Sequence, residues 1–312
     1  MGIFVFLPLL LPLTAWPIAR LAEQHLHPRV ATRLLTAVAG VMALCSTVCL
    51  ALLMVVGTAQ LPGNPLPDGW SDAEVRAAVP YDEVAGRVAI PALLVVAVAC
   101  GRTLWRHRRV RRRSHRALAG LPDTEVAVLP DATPYAYALP GHGTRDRIVV
   151  TTALLHRLGP AERRALFAHE RAHLTARHHR LLLTAQLAAR ANPFLRPLRT
   201  AVSYTTERWA DEEAARAVGD RRAVARAIGK AALVSRGTTL PALAGFAAPG
   251  PVPRRVAALL GTAPPAPRTW PSLFTGVGAA AWTAAAGTAV SAMASANSAV
   301  TLVVILHAAT PL

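Results

Sequence analysis

Cysteine is nearly absent from this chain. The three present, Cys45, Cys49 and Cys100, fall inside apolar stretches and show no zinc-finger spacing, so they read as small buried apolar residues. Acidic residues are also scarce, with 17 Asp and Glu against 34 Lys and Arg and a formal charge of +17. Much of the excess lies in one run, Arg102 to Arg113. That run lacks interleaved aromatic residues and abuts an apolar stretch, which argues against direct nucleic-acid binding. Topology setting and attraction to anionic lipid account for it instead. The N-terminus lacks the basic n-region of a signal peptide. Phe6 stands where a myristoylation site needs Ser or Thr.

What the chain does have is apolar sequence: 53% hydrophobic residues and a mean hydropathy of +0.35. It falls in blocks. Residues 1–104 read as a membrane domain with three spans, at about 3–19, 34–58 and 84–104, and residues 271–312 as a C-terminal span. The first block carries three prolines, and the last is Ala-rich with ends the sequence does not mark. Arg20, Arg29 and Arg33 lie between the first two spans and the arginine run follows the third, whereas residues 59–83 are mostly acidic. By the positive-inside rule, residues 105–270 are cytoplasmic and both termini lie outside a plasma membrane. Trp16, Trp105 and Trp270 fall near the expected boundaries, where interfacial tryptophans belong.

The soluble part is organised around Ala168-His169-Glu170-Arg171-Ala172-His173. Histidines four residues apart on a helix point the same way and can share one zinc ion. The glutamate after the first can face the open coordination position, the H-E-x-x-H arrangement of zinc metallopeptidases. Pro160 sits well at the first helical position. Good helix formers then run to Ala191, where Asn192-Pro193 stops them, so one long helix is expected. His178 and His179 lie off the ligand face of such a helix and read as residues behind the ligands or at the surface.

Two histidines leave zinc one protein ligand short of a hydrolytic site. Downstream, Tyr204 to Glu213 reads as a second helix ending near Gly219. Glu207 is the candidate third ligand. Asp211, one turn on, can orient a ligand histidine through its second ring nitrogen. Glu212 and Glu213 point elsewhere and read as a solvated acidic face. Glu125-Leu129, Pro134-Gly141 and Arg147-Thr152 read as three short strands, a small sheet packed on the zinc helix. Its edge could hold an extended substrate by main-chain hydrogen bonds.

The stretch from Ala136 through His179, followed by Glu207-Arg208-Trp209-Ala210-Asp211 and Arg254 to Leu260, resembles integral-membrane gluzincin peptidases. Two related groups share the pattern, the BlaR/MecR-type regulatory metallopeptidases and the HtpX/Ste24-type membrane proteases. Three spans, a cytoplasmic protease domain and a final span look like BlaR/MecR. The resemblance implies His169, His173 and Glu207 as zinc ligands, Glu170 as catalytic base, and Asp211 as the aspartate of an E-x-x-x-D motif. The expected fold is an α-helical membrane protein of about four transmembrane helices carrying a cytoplasmic α+β gluzincin-like zinc metalloprotease domain. Tyr135 departs from the pattern, standing where HtpX/Ste24-type enzymes often have Asn. The large extracellular penicillin-binding domain and S-x-x-K context of the β-lactam sensors are missing, so direct β-lactam sensing is not expected. Three activities fit: regulatory cleavage of a protein partner such as a transcriptional repressor, quality control of membrane proteins, or a catalytically silent signalling protein. The intact Glu170 argues against the third.

Overall fold

A computed structural model describes residues 6–59, 82–141, 145–235, 251–264 and 276–308. It is mostly helical. Among the described residues, three helices are long and apolar enough to cross a membrane: Pro28–Ala59, Val84–Ala117 and Trp282–Ala308. The first is α3 (Pro28–Ala59). The second belongs to α4 (Asp82–Ala117), so the arginine run continues the helix instead of ending it. The third belongs to the last helix, α11 (Gly276–Ala308).

The first apolar block departs from the expected span over 3–19. It forms α1 (Leu7–Leu10), a 3-10 turn (Leu11–Thr14) and α2 (Ala15–His25). Prolines at 8, 12 and 17 remove helical N–H donors and crowd the preceding turn, which interrupts a regular helix. The segment lies alongside α3: Ser46 donates to the Pro8 carbonyl at 2.8 Å, and Ala15, Ala19 and Ala22 join the core of Leu35, Ala39 and Met42. Trp16 and Trp105 are exposed, each under an arginine, Arg20 and Arg109. Trp270 and most of the 59–83 loop lie outside the described residues.

Helices α3 and α4 approach to backbone contact where Gly57 meets Gly86. A Cβ at Gly57 would sit 2.4 Å from the Gly86 carbonyl carbon, whereas one at Gly101 on α4 meets nothing within 4 Å. Gly57→Ala therefore forces the helices apart, an overpacking cost of about 1–3 kcal/mol, and lowers the thermal midpoint in detergent. Gly101→Ala does not. Equal midpoints for the two variants would contradict this packing.

The rest is α+β. Strands β1 (Val126–Leu129), β2 (Ala136–Leu139) and β3 (Arg147–Thr151) form a sheet in the order β1-β3-β2. β1 runs parallel to β3 and β2 antiparallel to it. Then come α5 (Thr152–Arg157), α6 (Pro160–Thr175), α7 (His178–Ala191), α8 (Arg196–Val218), α9 (Arg221–Val234) and α10 (Val252–Leu260). Alternation along β2 sorts its side chains. Tyr135, Tyr137 and Leu139 pack with Leu118 on one face, while Ala136 and Val150 join Leu154, Leu166, Ala214 and Ile228 in the core under α6 and α8. Helix α3 is not a separate layer. α3 packs along α7 and α8 through Leu35, Met42, Ala185, Leu198 and Val202, and the hydroxyls of Thr32 and Thr205 are hydrogen-bonded at 2.9 Å.

The expected single helix over 161–191 is two. Arg177 takes a left-handed conformation (φ 52, ψ 41), ending α6 and starting α7 in a new direction. No other non-glycine among the described residues has positive φ. Neither glycine nor proline marks the break.

Candidate metal centre and active site

Helix α6 is pinned at its start. Pro160 occupies the first turn, and the Glu162 carboxylate accepts from the Gly159 amide at 2.8 Å while pairing with Lys230. This satisfies an otherwise orphaned donor and fixes the helix carrying His169, Glu170 and His173. His169 and Glu170 are fully buried. Helix α8 crosses beside it and delivers Glu207 and Asp211 from successive turns of one face.

The geometry brings the predicted residues together. His169 Nε2 and His173 Nε2 lie 3.1 Å apart. Glu207 places Oε2 3.5 Å from the first and Oε1 3.6 Å from the second. One ligand atom from each residue falls within 4.8 Å of the others, a group that could hold a metal ion. Glu207 Oε2 is itself buried. Two imidazole nitrogens and a carboxylate oxygen are a donor set suited to zinc. Asp211 Oδ1 lies 3.1 Å from His169 Nδ1, on the ring nitrogen turned away from the cluster, as a histidine-orienting carboxylate should.

Glu170 stands beside this group. Its carboxylate accepts a hydrogen bond from the Ala138 amide of β2, and its Oε1 is buried with no hydrogen-bond partner among the described residues. Burial pushes the carboxyl up to about 7, against the charge of His169 and with that of Glu207. Burial also lowers His173 to about 4. It opposes charge on His169 too, but hydrogen bonds and charge from Asp211 and Glu207 outweigh it and raise that group to about 9.

One central residue was not assigned a role from sequence. Arg255, on α10, is fully buried. It donates to both Asp211 oxygens, from Nε at 2.8 Å and Nη2 at 2.7 Å, and its Nη1 lies 3.1 Å from Glu207 Oε2. Burial would raise the Asp211 and Glu207 carboxyls, but Arg255 holds both below the usual carboxylate range. In the sequence it appeared only within Arg254 to Leu260, a stretch that carries part of the family resemblance.

Other expectations shift. Glu212 is not solvated. It is buried and paired with Arg208 at 2.6 Å and with Arg221, because α9 and α10 close over that face of α8. Glu213 is half-buried and accepts from Trp209 Nε1 at 3.1 Å. The break at Arg177 turns His178 back under the site, where it is fully buried. The Tyr135 hydroxyl donates to Asp131 at 3.0 Å, and its side chain packs on the sheet face away from α6.

Residues 101–189 match the sequence model of Peptidase family M48. That segment includes both histidines and Glu170, while Glu207, Asp211 and Arg255 lie beyond it. Among curated proteins, the chain is similar to a Protease HtpX homolog of Moorella thermoacetica, 35% identical over 79 residues, which is 25% of this chain and 26% of that protein. A Protease HtpX homolog of Methanocaldococcus jannaschii is 32% identical over 87 residues, 28% of this chain and 29% of that protein. Protease HtpX homolog 2 of Methanosarcina mazei is 36% identical over 69 residues, 22% and 24% of the two chains. The matched part thus spans between 24% and 29% of these relatives. No solved structure matches the chain.

Proposed function

We propose that this chain is a membrane-anchored zinc metalloendopeptidase that cleaves peptide bonds of protein substrates. The carrying observation is the convergence of His169, His173 and Glu207 beside a buried Glu170. In this reading the first three hold zinc, Asp211 orients His169, and Glu170 is the base. Zinc held there supplies Lewis acidity for a peptide carbonyl and lowers the pKa of a water. Glu170 takes the proton of the attacking water and returns a proton to the leaving amine. Among the described residues the sheet order leaves β2 with one edge unpaired, and the Ala138 amide on that strand reaches Glu170. An extended substrate pairing with this edge would lie across the site.

Three apolar helices support a bilayer setting, and the basic residues in the C-terminal part of α4 support a cytoplasmic site with the C-terminus outside. The α1–α2 segment, running antiparallel beside α3, supports an N-terminus on the far side as well. HtpX-like handling of membrane proteins is the closer role, given the names of the similar proteins. A regulatory role on one partner, such as a repressor, rests on the BlaR/MecR-like arrangement of spans. Glu170→Gln, tagged and expressed in native membranes, separates the roles. Capture of many membrane proteins supports quality control, and capture of one partner that wild type cleaves supports regulation. Wild-type protein that cleaves nothing the variant captures contradicts the protease reading.

The base assignment sets a pH dependence. A base must be deprotonated, so kcat/KM is lost as pH falls through the Glu170 pKa. Burial sets that value at about 7, and a cation alongside draws it down. The expected profile has an acid limb between the ordinary 4.5 and about 7. Its absence in Glu170→Asp and wild type alike would count against Glu170 as base.

A further inference from the structure

Each candidate zinc-binding histidine has a second ring nitrogen, and the structure answers the two differently. His169 meets a carboxylate, Asp211. His173 meets another imidazole: its Nδ1 lies 2.9 Å from Nδ1 of His178. We infer that His178 is a positioning residue for His173, accepting its Nδ1 hydrogen and so fixing the tautomer and ring orientation that present Nε2 to the metal. The inference rests on the metal-site reading above.

The tautomers follow in sequence. His173 Nε2 faces His169 Nε2 and Glu207 Oε1, so it must carry the lone pair, and the hydrogen of neutral His173 then sits on Nδ1. Nδ1 of His178 is therefore the acceptor, and the His178 hydrogen is on Nε2. That atom is buried with no hydrogen-bond partner among the described residues. The His178 ring has an aromatic neighbour in Trp209, with ring centroids 4.5 Å apart and planes tilted 59°. Moving the His178 hydrogen to Nδ1 is disfavoured, because there it would oppose that of His173. The two ring planes of the pair are nearly perpendicular, at 87°, so the rings do not stack, and their close contact is the one between the two Nδ1 atoms. The other side of the arrangement is anchored in α3, since Arg29 and Arg33 both lie over the Trp209 ring.

The left-handed Arg177 makes this possible. In an uninterrupted helix, residues 173 and 178 are about 500° apart at 100° per residue and cannot face each other. The break turns α7 so that its first residue points back at α6. A non-glycine residue held there is strained, and the contact it creates is made to a candidate metal ligand.

The test compares three full-length proteins in detergent: wild type, His178→Phe and His178→Asn. Phe keeps a ring against Trp209 but offers no acceptor. Asn places an oxygen near the position of Nδ1. Zinc affinity is read by chelator competition and the fold by thermal unfolding of the metal-free proteins. Expected is a 10–100-fold loss of zinc affinity in His178→Phe, recovery in His178→Asn to within a few-fold of wild type, and similar metal-free midpoints for all three. Unchanged affinity in His178→Phe overturns the inference. So do equal losses in both variants accompanied by lowered metal-free midpoints, which would mark His178 as packing only. Wild type that binds no zinc overturns the metal-site reading itself, and this inference with it.

Discussion

Glu170→Gln is expected to leave the chain folded and zinc-loaded while lowering kcat by roughly two to four orders of magnitude, the range of a lost general base. The two side chains have the same shape, so the packing of a residue with 2% of its surface exposed is preserved. The glutamine carbonyl can still accept from the Ala138 amide, the one hydrogen bond the carboxylate makes to β2. What is lost is basicity. Glu170 lies outside the His169, His173 and Glu207 group, so zinc content should hold near the wild-type value, and KM should change little. Single-site cleavage assays with metal analysis of the same preparations check this. A variant that lost its zinc would place Glu170 among the ligands. A variant with near wild-type turnover would remove it from the chemistry.

The second large effect is structural. Arg255→Met should destabilise the fold by about 3–5 kcal/mol, the usual result of removing one partner from a buried ion pair. Arg255 faces two carboxylates, the buried Asp211 and the partly buried Glu207, and without it Asp211 has His169 and a distant Arg208 at 4.0 Å. Arg255→Lys keeps the charge but cannot reproduce three contacts from one planar fork, and should rescue only part of the loss. The pH sign is fixed by Asp211. Its folded pKa is depressed below the ordinary 3.8, so its contribution is present above that value and is lost as pH falls through the folded pKa. Arg255→Met should flatten this acid dependence. Unfolding measured against pH on the metal-free chain reads both effects. A variant as stable as wild type with an unchanged acid slope would contradict the role given to Arg255.

Much of the site was legible in the sequence because helical periodicity is local. His169 and His173 are one turn apart, as are Glu207 and Asp211, and each pair shares a face whatever surrounds it. The three strands were legible from short β-branched and aromatic runs between turns, and their ends moved by only one or two residues. Arg255 was not legible in its role. Its partner Asp211 is 44 residues away in sequence, and a basic residue on a short helix reads as surface until tertiary packing buries it. Glu212 failed for the same reason, since its cover comes from α9 and α10. The break at Arg177 was hidden because strong helix formers run through it. The reading of His178 as behind the ligands or at the surface was left open for that reason, and the break places it behind His173. The first apolar block shows the opposite case: its prolines were visible, and their spacing of four and five residues already argued against a regular span.

His169, His173 and Glu207 together are expected to bind one metal ion. The most direct test is the zinc content of purified full-length protein, wild type against Glu207→Ala and His169→Ala. Close to one zinc per wild-type chain is expected, and little in either variant. Wild type without zinc, or variants that keep it in full, would mean that these three residues do not form a metal site.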